Sequence, residues 1–323
     1  MFTIETRSLE PLEGAETLTD YILANTETGE WATILPSFGG ILRQLVLRKG
    51  DSRYTLINSP GSAQALLADE TYASALLYPF PSRVHHGIYR FDGEDYALPM
   101  NEAMRDNALH GFVHPKPFQV VRHEATPDHA SLTIMYVYEG DVPGYPFPFK
   151  LTVSYTLSAQ GLTLTFDALN AGTTRSPAAF GWHPYFTLNN ADTDNLTLTL
   201  PTKTEITLDE HMIANGTKPA PANRMGTFSL KEVELDTPWV ASFTDVNGQQ
   251  EAKTVLQWPD EDVALEVTQS DSLGYVVVYT PARRDSIAIE PQTANVNAFN
   301  NGQGLTILEP GRSLSGRIGV RLT

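Results

Sequence analysis

The sequence predicts an all-β fold, a large antiparallel β-sandwich. Apolar and polar residues alternate with a period of two, as in residues 151–157, Leu-Thr-Val-Ser-Tyr-Thr-Leu. This period is typical of strands that bury one face. Only residues 62–69, Ser-Ala-Gln-Ala-Leu-Leu-Ala-Asp, have a helical pattern. Many strands with little helix indicate packed antiparallel sheets.

Two β-hairpins are predicted from turn sequences between alternating segments. Segments 151–157 and 162–166 flank Ser-Ala-Gln-Gly, a sequence typical of a turn. Segments 88–91 and 96–98 flank Asp-Gly, which suits a tight turn with positive φ at both central residues. Further strands, rich in Thr, Val, Tyr and Phe, are predicted at 130–138, 196–200, 264–268, 275–279 and 318–322.

Composition indicates one globular domain, residues 1–323, because no change in composition marks a linker. A chain of 323 residues, 41% of them hydrophobic, buries a sizeable core without disulfides or metals. The sequence has no cysteine. That excludes disulfides, thiolate nucleophiles and cysteine-based zinc sites.

The net charge of −16, from 22 Lys and Arg against 38 Asp and Glu, bears on partners. Such an acidic surface repels phosphate groups, so we expect neither nucleic acid nor membrane as a partner. Residues 1–7 lack the pattern of a signal peptide, and no apolar run approaches the roughly 18 residues of a membrane helix. We expect a cytoplasmic monomer or homodimer, since sheet edges support a dimer but no motif specifies one.

Three short motifs carry the candidate chemistry. His110 lies in Asn-Ala-Leu-His-Gly, His183 in Phe-Gly-Trp-His-Pro-Tyr-Phe, and Glu290 in Ile-Glu-Pro-Gln-Thr. Pro and Gly in these motifs predict strand ends or loops. An imidazole that faces a carboxylate moves protons in both directions near pH 7. The alternative for each is structural, such as pairing of Glu290 with Arg283 or Arg284.

Other site patterns are absent from the sequence. It contains no GxGxxG, GxxxxGK[ST], HExxH or GxSxG, so nucleotide cofactors and serine hydrolysis have no support. The neighbours His85 and His86 are expected to point to opposite faces of a strand and not to chelate one metal together. We therefore expect no metal and no cofactor.

Taken together, the motifs resemble those of the aldose 1-epimerases, or galactose mutarotases, from about residue 20 to the C-terminus. The resemblance implies the galactose mutarotase-like supersandwich and the interconversion of α and β anomers of a free aldose. The segments that carry it occur in the family's order: 82–84, 88–98, 101–102, 107–111, 145–146, 155–157, 183–186, 278–281, 290–293, 297–300 and 310–311.

The resemblance implies that Glu290 and His183 are the catalytic base and acid. Glu290 would remove the proton of the anomeric hydroxyl, and His183 would protonate the ring oxygen, so that the ring opens and recloses on the other face. This requires ionised Glu290 and protonated His183, a state easily met from the reference pKa values. We expect the two groups to line one open cleft, several ångströms apart, with the sugar between them.

The resemblance also assigns residues that bind a small-molecule sugar. Arg83 and His110 match the family's binding and polarising residues, whose donors neutralise developing negative charge. Asp236 matches a carboxylate that holds sugar hydroxyls, with a turn before Pro238 as the alternative. Trp182 is expected to stack on a face of the sugar, with burial in the core as the alternative.

The chain departs from the family pattern at several positions. Ser82 precedes Arg83 where the family often has Asn. Phe112 follows the His-Gly pair in place of a second Gly, and Thr237 follows Asp236 in place of His. These departures leave the preferred sugar open.

Two alternative functions remain. An epimerase of a phosphorylated or other anionic hexose would need several converging cations, for which Arg83, Arg43 and Arg90 are the candidates. A non-catalytic carbohydrate-binding protein on the same fold would need neither an acid nor a base. The joint presence of His183 and Glu290 argues against it.

Overall fold

A computed structural model describes residues 1–10 and 17–323, and it confirms the predicted all-β sandwich. The described residues form 29 strands. The first fifteen are β1 Phe2–Ser8, β2 Thr19–Asn25, β3 Glu30–Leu35, β4 Ile41–Lys49, β5 Ser52–Thr55, β6 Ala75–Leu77, β7 Arg83–His85, β8 Ile88–Phe91, β9 Glu94–Ala97, β10 Asn107–Leu109, β11 Gln119–Ala125, β12 His129–Tyr138, β13 Phe149–Ser158, β14 Gly161–Asn170 and β15 Ser176–Ala178. The others are β16 Gly181–His183, β17 Tyr185–Phe186, β18 Thr197–Thr199, β19 Thr202–Leu208, β20 Ala214–Pro219, β21 Thr227–Ser229, β22 Asp236–Ala241, β23 Thr244–Val246, β24 Gln249–Trp258, β25 Val263–Ser270, β26 Tyr275–Tyr279, β27 Ile287–Gln292, β28 Thr306–Leu308 and β29 Ser313–Leu322.

Helices are few and short in residues 1–10 and 17–323. They are α1 Ala63–Leu67 and α2 Ala298–Asn301, with 3₁₀ turns at Thr193–Asn195, Ala222–Arg224 and Pro259–Glu261. The helix predicted at 62–69 is confirmed as α1, and the Ser62 side chain caps it by accepting the N–H of Ala65 at 3.1 Å. None of the helices in the described part of the chain is long and apolar enough to cross a membrane.

The described strands form three large sheets, in which all strand pairs are antiparallel. The five-stranded sheet has the order β1-β2-β3-β4-β5. The ten-stranded sheet has the order β11-β12-β13-β14-β29-β25-β24-β18-β21, with β23 on β24. The eight-stranded sheet has the order β20-β19-β22-β26-β27-β16-β6, with β17 on β27. The small ladders are β7 with β10, β8 with β9, and β15 with β28.

Both predicted hairpins are confirmed. Strands β13 and β14 pair from Phe149 opposite Asn170 to Ser158 opposite Gly161. Strands β8 and β9 join through Asp92 and Gly93, at φ 51° and 89°, the positive values that a type I′ turn requires. The other predicted strands correspond to β12, β18, β25, β26 and β29.

One hydrophobic core joins the three sheets. Leu45 of β4, Val153 of β13 and Ile289 of β27 belong to the same buried cluster. The Tyr155 hydroxyl donates to the carbonyl of Gly40 at 2.8 Å, which ties β13 to the turn before β4. Packing on this core holds the eight-stranded sheet and the β7–β10 ladder in place, and both carry candidate site residues.

A buried ion pair fixes the five-stranded sheet. Arg43 donates from Nε and Nη2 to the two carboxylate oxygens of Asp20, at 2.9 and 3.0 Å, and from Nη1 to the carbonyl of Pro60 at 3.0 Å. Both charged side chains are almost inaccessible, at 4% and 0% exposure. Arg90, in contrast, pairs with Asp95 on the surface.

We predict that Asp20→Asn destabilises the protein far more than Asp95→Asn. Removal of one partner leaves the other charge buried and uncompensated, which costs about 3–5 kcal/mol. Loss of an exposed pair costs less than about 1 kcal/mol. Urea unfolding of both variants checks this, and similar losses of unfolding free energy in the two would contradict it.

Candidate functional site

Five of the six predicted site residues line one cleft of about 400 Å³: Glu290, His183, His110, Arg83 and Asp236. Glu290, His183, Arg83 and Asp236 lie on β27, β16, β7 and β22, and His110 directly follows β10. The eight-stranded sheet and the β7–β10 ladder therefore supply much of the cleft, and loop residues complete its lining.

The position of Glu290 follows from a change of partner along β27. On one side of β27, Ala288 pairs with Tyr185 of β17, whereas Gln292 pairs with Gly181 of β16. His183 ends β16, so this change brings it beside Glu290. The Ile289 N–H donates to Pro184 on that side at 3.3 Å. Backbone nitrogens two residues apart face the same side of a strand, so the nitrogen of Pro291 faces the same side as that of Ile289. No residue of a neighbouring strand pairs with Pro291 on this side. The missing N–H of proline therefore breaks no hydrogen bond of the sheet.

The His183 and Glu290 side chains are in direct contact. His183 Nε2 lies 3.3 Å from Glu290 Oε1, and the two residues are 6% and 3% exposed. Both groups line the cleft as expected, but the expected separation of several ångströms is wrong. The reason is that their strands are neighbours in one sheet, which the separate motifs did not reveal.

Burial favours the uncharged form of this pair. It raises the pKa of Glu290 to about 8, helped by the charge of Asp236 and opposed by a hydrogen bond from Gln292 and by Arg83. It also lowers the pKa of His183 to about 4. The expectation that an ionised Glu290 and a protonated His183 are easily met does not hold for the free protein, because burial penalises both charges.

His110 presents a neutral imidazole to the cleft. Its Nδ1 accepts the backbone N–H of Ser82 at 3.1 Å, so the proton of the neutral ring lies on Nε2. Burial and the neighbouring His183 hold the pKa of His110 well below its usual value. His110 has φ 62° and Gly111 φ 67°, and a Cβ on Gly111 would lie 2.1 Å from the carbonyl oxygen of Tyr78. The glycine of this motif therefore allows the close backbone approach that positions His110.

Arg83 is held by a carboxylate at the cleft. Its Nε and Nη2 donate to Glu102 at 2.9 Å each, and Glu102 also accepts from Asn107 at 3.0 Å and Arg105 at 3.1 Å. Burial alone would raise the pKa of Glu102, but these hydrogen bonds hold it below the usual value. The charge of Arg83 is therefore compensated within the site.

Asp236 and Trp182 have different outcomes. Asp236 is the first residue of β22, pairs with Tyr279 and is exposed. The surrounding cleft walls raise its pKa by desolvation, but solvent screens this effect. Trp182 has no exposed surface and packs edge to face on Phe186. The prediction that Trp182 stacks on a ligand is wrong, because His183 faces the cleft and its strand neighbour must face the core.

Some residues in or directly behind the cleft were not predicted. Tyr185 lies two positions after His183, and their rings are 5.1 Å apart. Gln292 lies two positions after Glu290 and donates to it at 3.0 Å. A spacing of two on a strand is a signal that could have found both. Tyr72, 4.8 Å from His110, and Arg105 come from loops that carried no such signal.

His85 and His86 lie outside the cleft, and their predicted geometry is wrong. His86 has φ 54° and leaves the strand, so the two rings stack at 3.9 Å, with His211 5.5 Å from His85. Opposite faces would require His86 to continue β7. Across residues 1–10 and 17–323, no group of three or more histidine, aspartate or glutamate side chains is placed to hold a metal ion.

Comparison with known proteins settles the family. The family model for aldose 1-epimerase matches residues 23–321. The chain belongs to the aldose 1-epimerase family. This family acts on small-molecule sugars. Because the chain belongs to it, the protein is an isomerase of the epimerase type.

Individual proteins are similar to this chain in sequence or in fold. The chain is 31% identical over 249 residues to the uncharacterized protein YihR of Escherichia coli (strain K12), covering 73% of this chain and 75% of the relative. Its fold is similar to that of a galactose mutarotase-like protein from Clostridium acetobutylicum, with TM-score 0.86, 20% identity and coverage of 99% and 98%. It is also similar to galactose 1-epimerase from Lactobacillus acidophilus NCFM, with TM-score 0.82, 17% identity and 99% coverage of each chain.

We predict that Glu290 makes stability fall as pH rises between about 4.5 and about 8. The folded protein keeps the Glu290 proton up to about pH 8, whereas the unfolded chain releases it near 4.5. High pH therefore favours unfolding in this window. The side chain of Glu290→Gln cannot ionise. The unfolding free energy of the variant minus that of the wild type should therefore increase by a few kcal/mol across the window and stay constant above it.

Urea unfolding of both proteins across that pH range tests this prediction. A difference in unfolding free energy that stays constant with pH would show that Glu290 titrates normally.

Proposed function

We propose that the protein is a mutarotase that interconverts the α and β anomers of a neutral free aldose, with Glu290 as base and His183 as acid. The observation that carries the proposal is their 3.3 Å contact inside an open cleft. Burial of two ionisable side chains at the wall of a cleft costs free energy of folding. An acid and a base in contact at such a wall are what two coupled proton transfers need.

The short distance suits the reaction. The anomeric hydroxyl and the ring oxygen are bonded to the same carbon, so a base and an acid that act on them stand side by side. Glu290 takes the hydroxyl proton while His183 gives a proton to the ring oxygen. The bond between the anomeric carbon and the ring oxygen breaks, and a carbonyl forms. Rotation about the next carbon–carbon bond and reversal of both transfers give the other anomer.

The uncharged pair and the ionised pair hold the same single proton. A transfer across the 3.3 Å contact turns the resting form, Glu290-COOH with neutral His183, into the reactive ion pair. Sugar hydroxyls at the pair, with the Nε2–H of His110, supply hydrogen bonds that offset the burial of charge. The pH dependence of the reaction therefore reports on the pair as a unit.

The charges at the cleft favour a neutral aldose over an anionic one. Arg83 and Arg105 both bind Glu102, and the carboxylates of Asp236 and Glu70 also line the cleft. The other cations considered for an anionic sugar are committed elsewhere, Arg43 to buried Asp20 and Arg90 to surface Asp95. No surplus of positive charge is left for a phosphate or sulfonate.

We predict that the protein accelerates the change in optical rotation of freshly dissolved α-D-glucose or α-D-galactose. Glu290→Gln should lower this rate by about 10²–10⁴-fold, since it removes the base. The matched control is Glu266→Gln, which alters a buried carboxylate of β25 that binds Lys253 and Arg321 away from the cleft.

Three outcomes of that polarimetry would count against the proposal. Acceleration confined to the 6-phosphates would favour the anionic sugar. No acceleration with any of these sugars, together with measurable binding, would favour the carbohydrate-binding protein. Equal losses in both glutamate variants would deny Glu290 a special role.

We predict a bell-shaped pH profile of kcat/KM, level between about 4 and about 8. Below the window the pair takes up a second proton and loses its base. Above the window it loses its only proton and has no acid, so the rate falls about tenfold per pH unit on each side. Rates corrected for spontaneous mutarotation test this, and an enzymatic rate that keeps rising above pH 8 would contradict it.

A further inference from the structure

Ser82 connects two functional groups of the cleft. It lies between Pro81 and Arg83 with φ 57° and is 4% exposed. Its backbone N–H donates to His110 Nδ1 at 3.1 Å, and its hydroxyl donates to Gln292 Oε1 at 3.2 Å. One residue therefore contacts the polarising imidazole and, through Gln292, the base.

Gln292 passes this contact on to Glu290. Its side chain is fully buried, and its Nε2 donates to Glu290 Oε2 at 3.0 Å. The Ser82 hydroxyl satisfies the amide oxygen, so the amide NH₂ is the group left to face the carboxylate. The other carboxylate oxygen then faces His183.

Packing supports this orientation. Gly181 pairs with Gln292, and a Cβ on Gly181 would lie 3.2 Å from the Gln292 side chain and 2.8 Å from Pro81. The backbone of Gly181 therefore closes against the glutamine and limits its rotamers. This explains the glycine that opens the His183 strand.

We propose that Ser82 and Gln292 are a positioning pair that holds the Glu290 carboxylate for proton transfer. Ser82 orients the Gln292 amide so that its NH₂ group, and not its carbonyl oxygen, faces Glu290. The proposal rests on the proposed mutarotase function and adds two residues to its machinery. Serine stands here where the family resemblance points to asparagine, so the arrangement belongs to this chain.

The physical effect depends on the direction of the amide. An N–H that faces Glu290 stabilises the carboxylate that acts as base, whereas a carbonyl oxygen in its place would stabilise the protonated acid. Loss of the Ser82 hydroxyl frees the amide to turn. Loss of the amide removes the donor altogether.

The test compares Gln292→Met, Ser82→Ala and the double variant with Gln269→Met as the matched control. Gln269 is another buried glutamine, whose Nε2 donates to the carbonyls of Leu273 and Tyr275 away from the cleft. Two readouts are used: kcat/KM against pH, and the infrared band of the protonated Glu290 carboxyl, assigned by its loss in Glu290→Gln.

Gln292→Met should lower the kcat/KM plateau about 10–100-fold, mainly through kcat, as expected for a hydrogen bond to a charged group. The infrared titration of Glu290 should move to higher pH. Ser82→Ala should change both readouts in the same direction by less, and the double variant should match Gln292→Met alone, because Ser82 acts through Gln292. Gln269→Met should move neither the titration nor the pH profile.

An unmoved Glu290 titration in both single variants would overturn the proposal, as would effects of Ser82→Ala and Gln292→Met that simply add. The infrared readout does not need turnover. If the wild type proves inactive while the titration shifts as expected, the mutarotase function fails and the positioning pair stands.

Discussion

The contact between His183 and Glu290 is the constraint on which the rest of the site depends. It exists because β27 changes partners from β17 to β16 between Ala288 and Gln292, which sets the end of β16 beside the glutamate. The large sheets and their shared core hold those strands rigidly. Two ionisable side chains on adjacent strands keep their separation without the mobility of loops.

Burial affects the His183–Glu290 pair in two opposing ways. The low-dielectric surroundings strengthen its hydrogen bonds, and they also penalise each charge, so the resting pair is uncharged. The residues around it reduce that penalty with donors: the amide of Gln292 towards Glu290, and the neutral His110 towards the cleft. Arg83, meanwhile, is paired with Glu102, so its positive charge is compensated beside the cleft.

Local sequence signals predicted the elements they control directly. The alternation of 151–157 and the Asp-Gly of β8–β9 specify hairpins because register and turn geometry are set by neighbouring residues. The spacing of two along β27 would also have revealed Gln292 beside Glu290. The orientation of His86 could not be predicted from strand alternation, because His86 itself adopts a left-handed backbone conformation that turns its side chain out of the strand pattern.

The sequence alone determined the all-β class, the hairpins and the short motifs that contain His110, His183 and Glu290, since these depend on periodicity and on neighbouring residues. Only the tertiary structure decided that His183 and Glu290 touch, that Trp182 faces the core, and that Arg105 reaches the cleft. The physical reason is that a strand's period fixes which residues share a face, whereas the neighbouring strand, and therefore the distance and the pKa, is chosen by long-range pairing and burial.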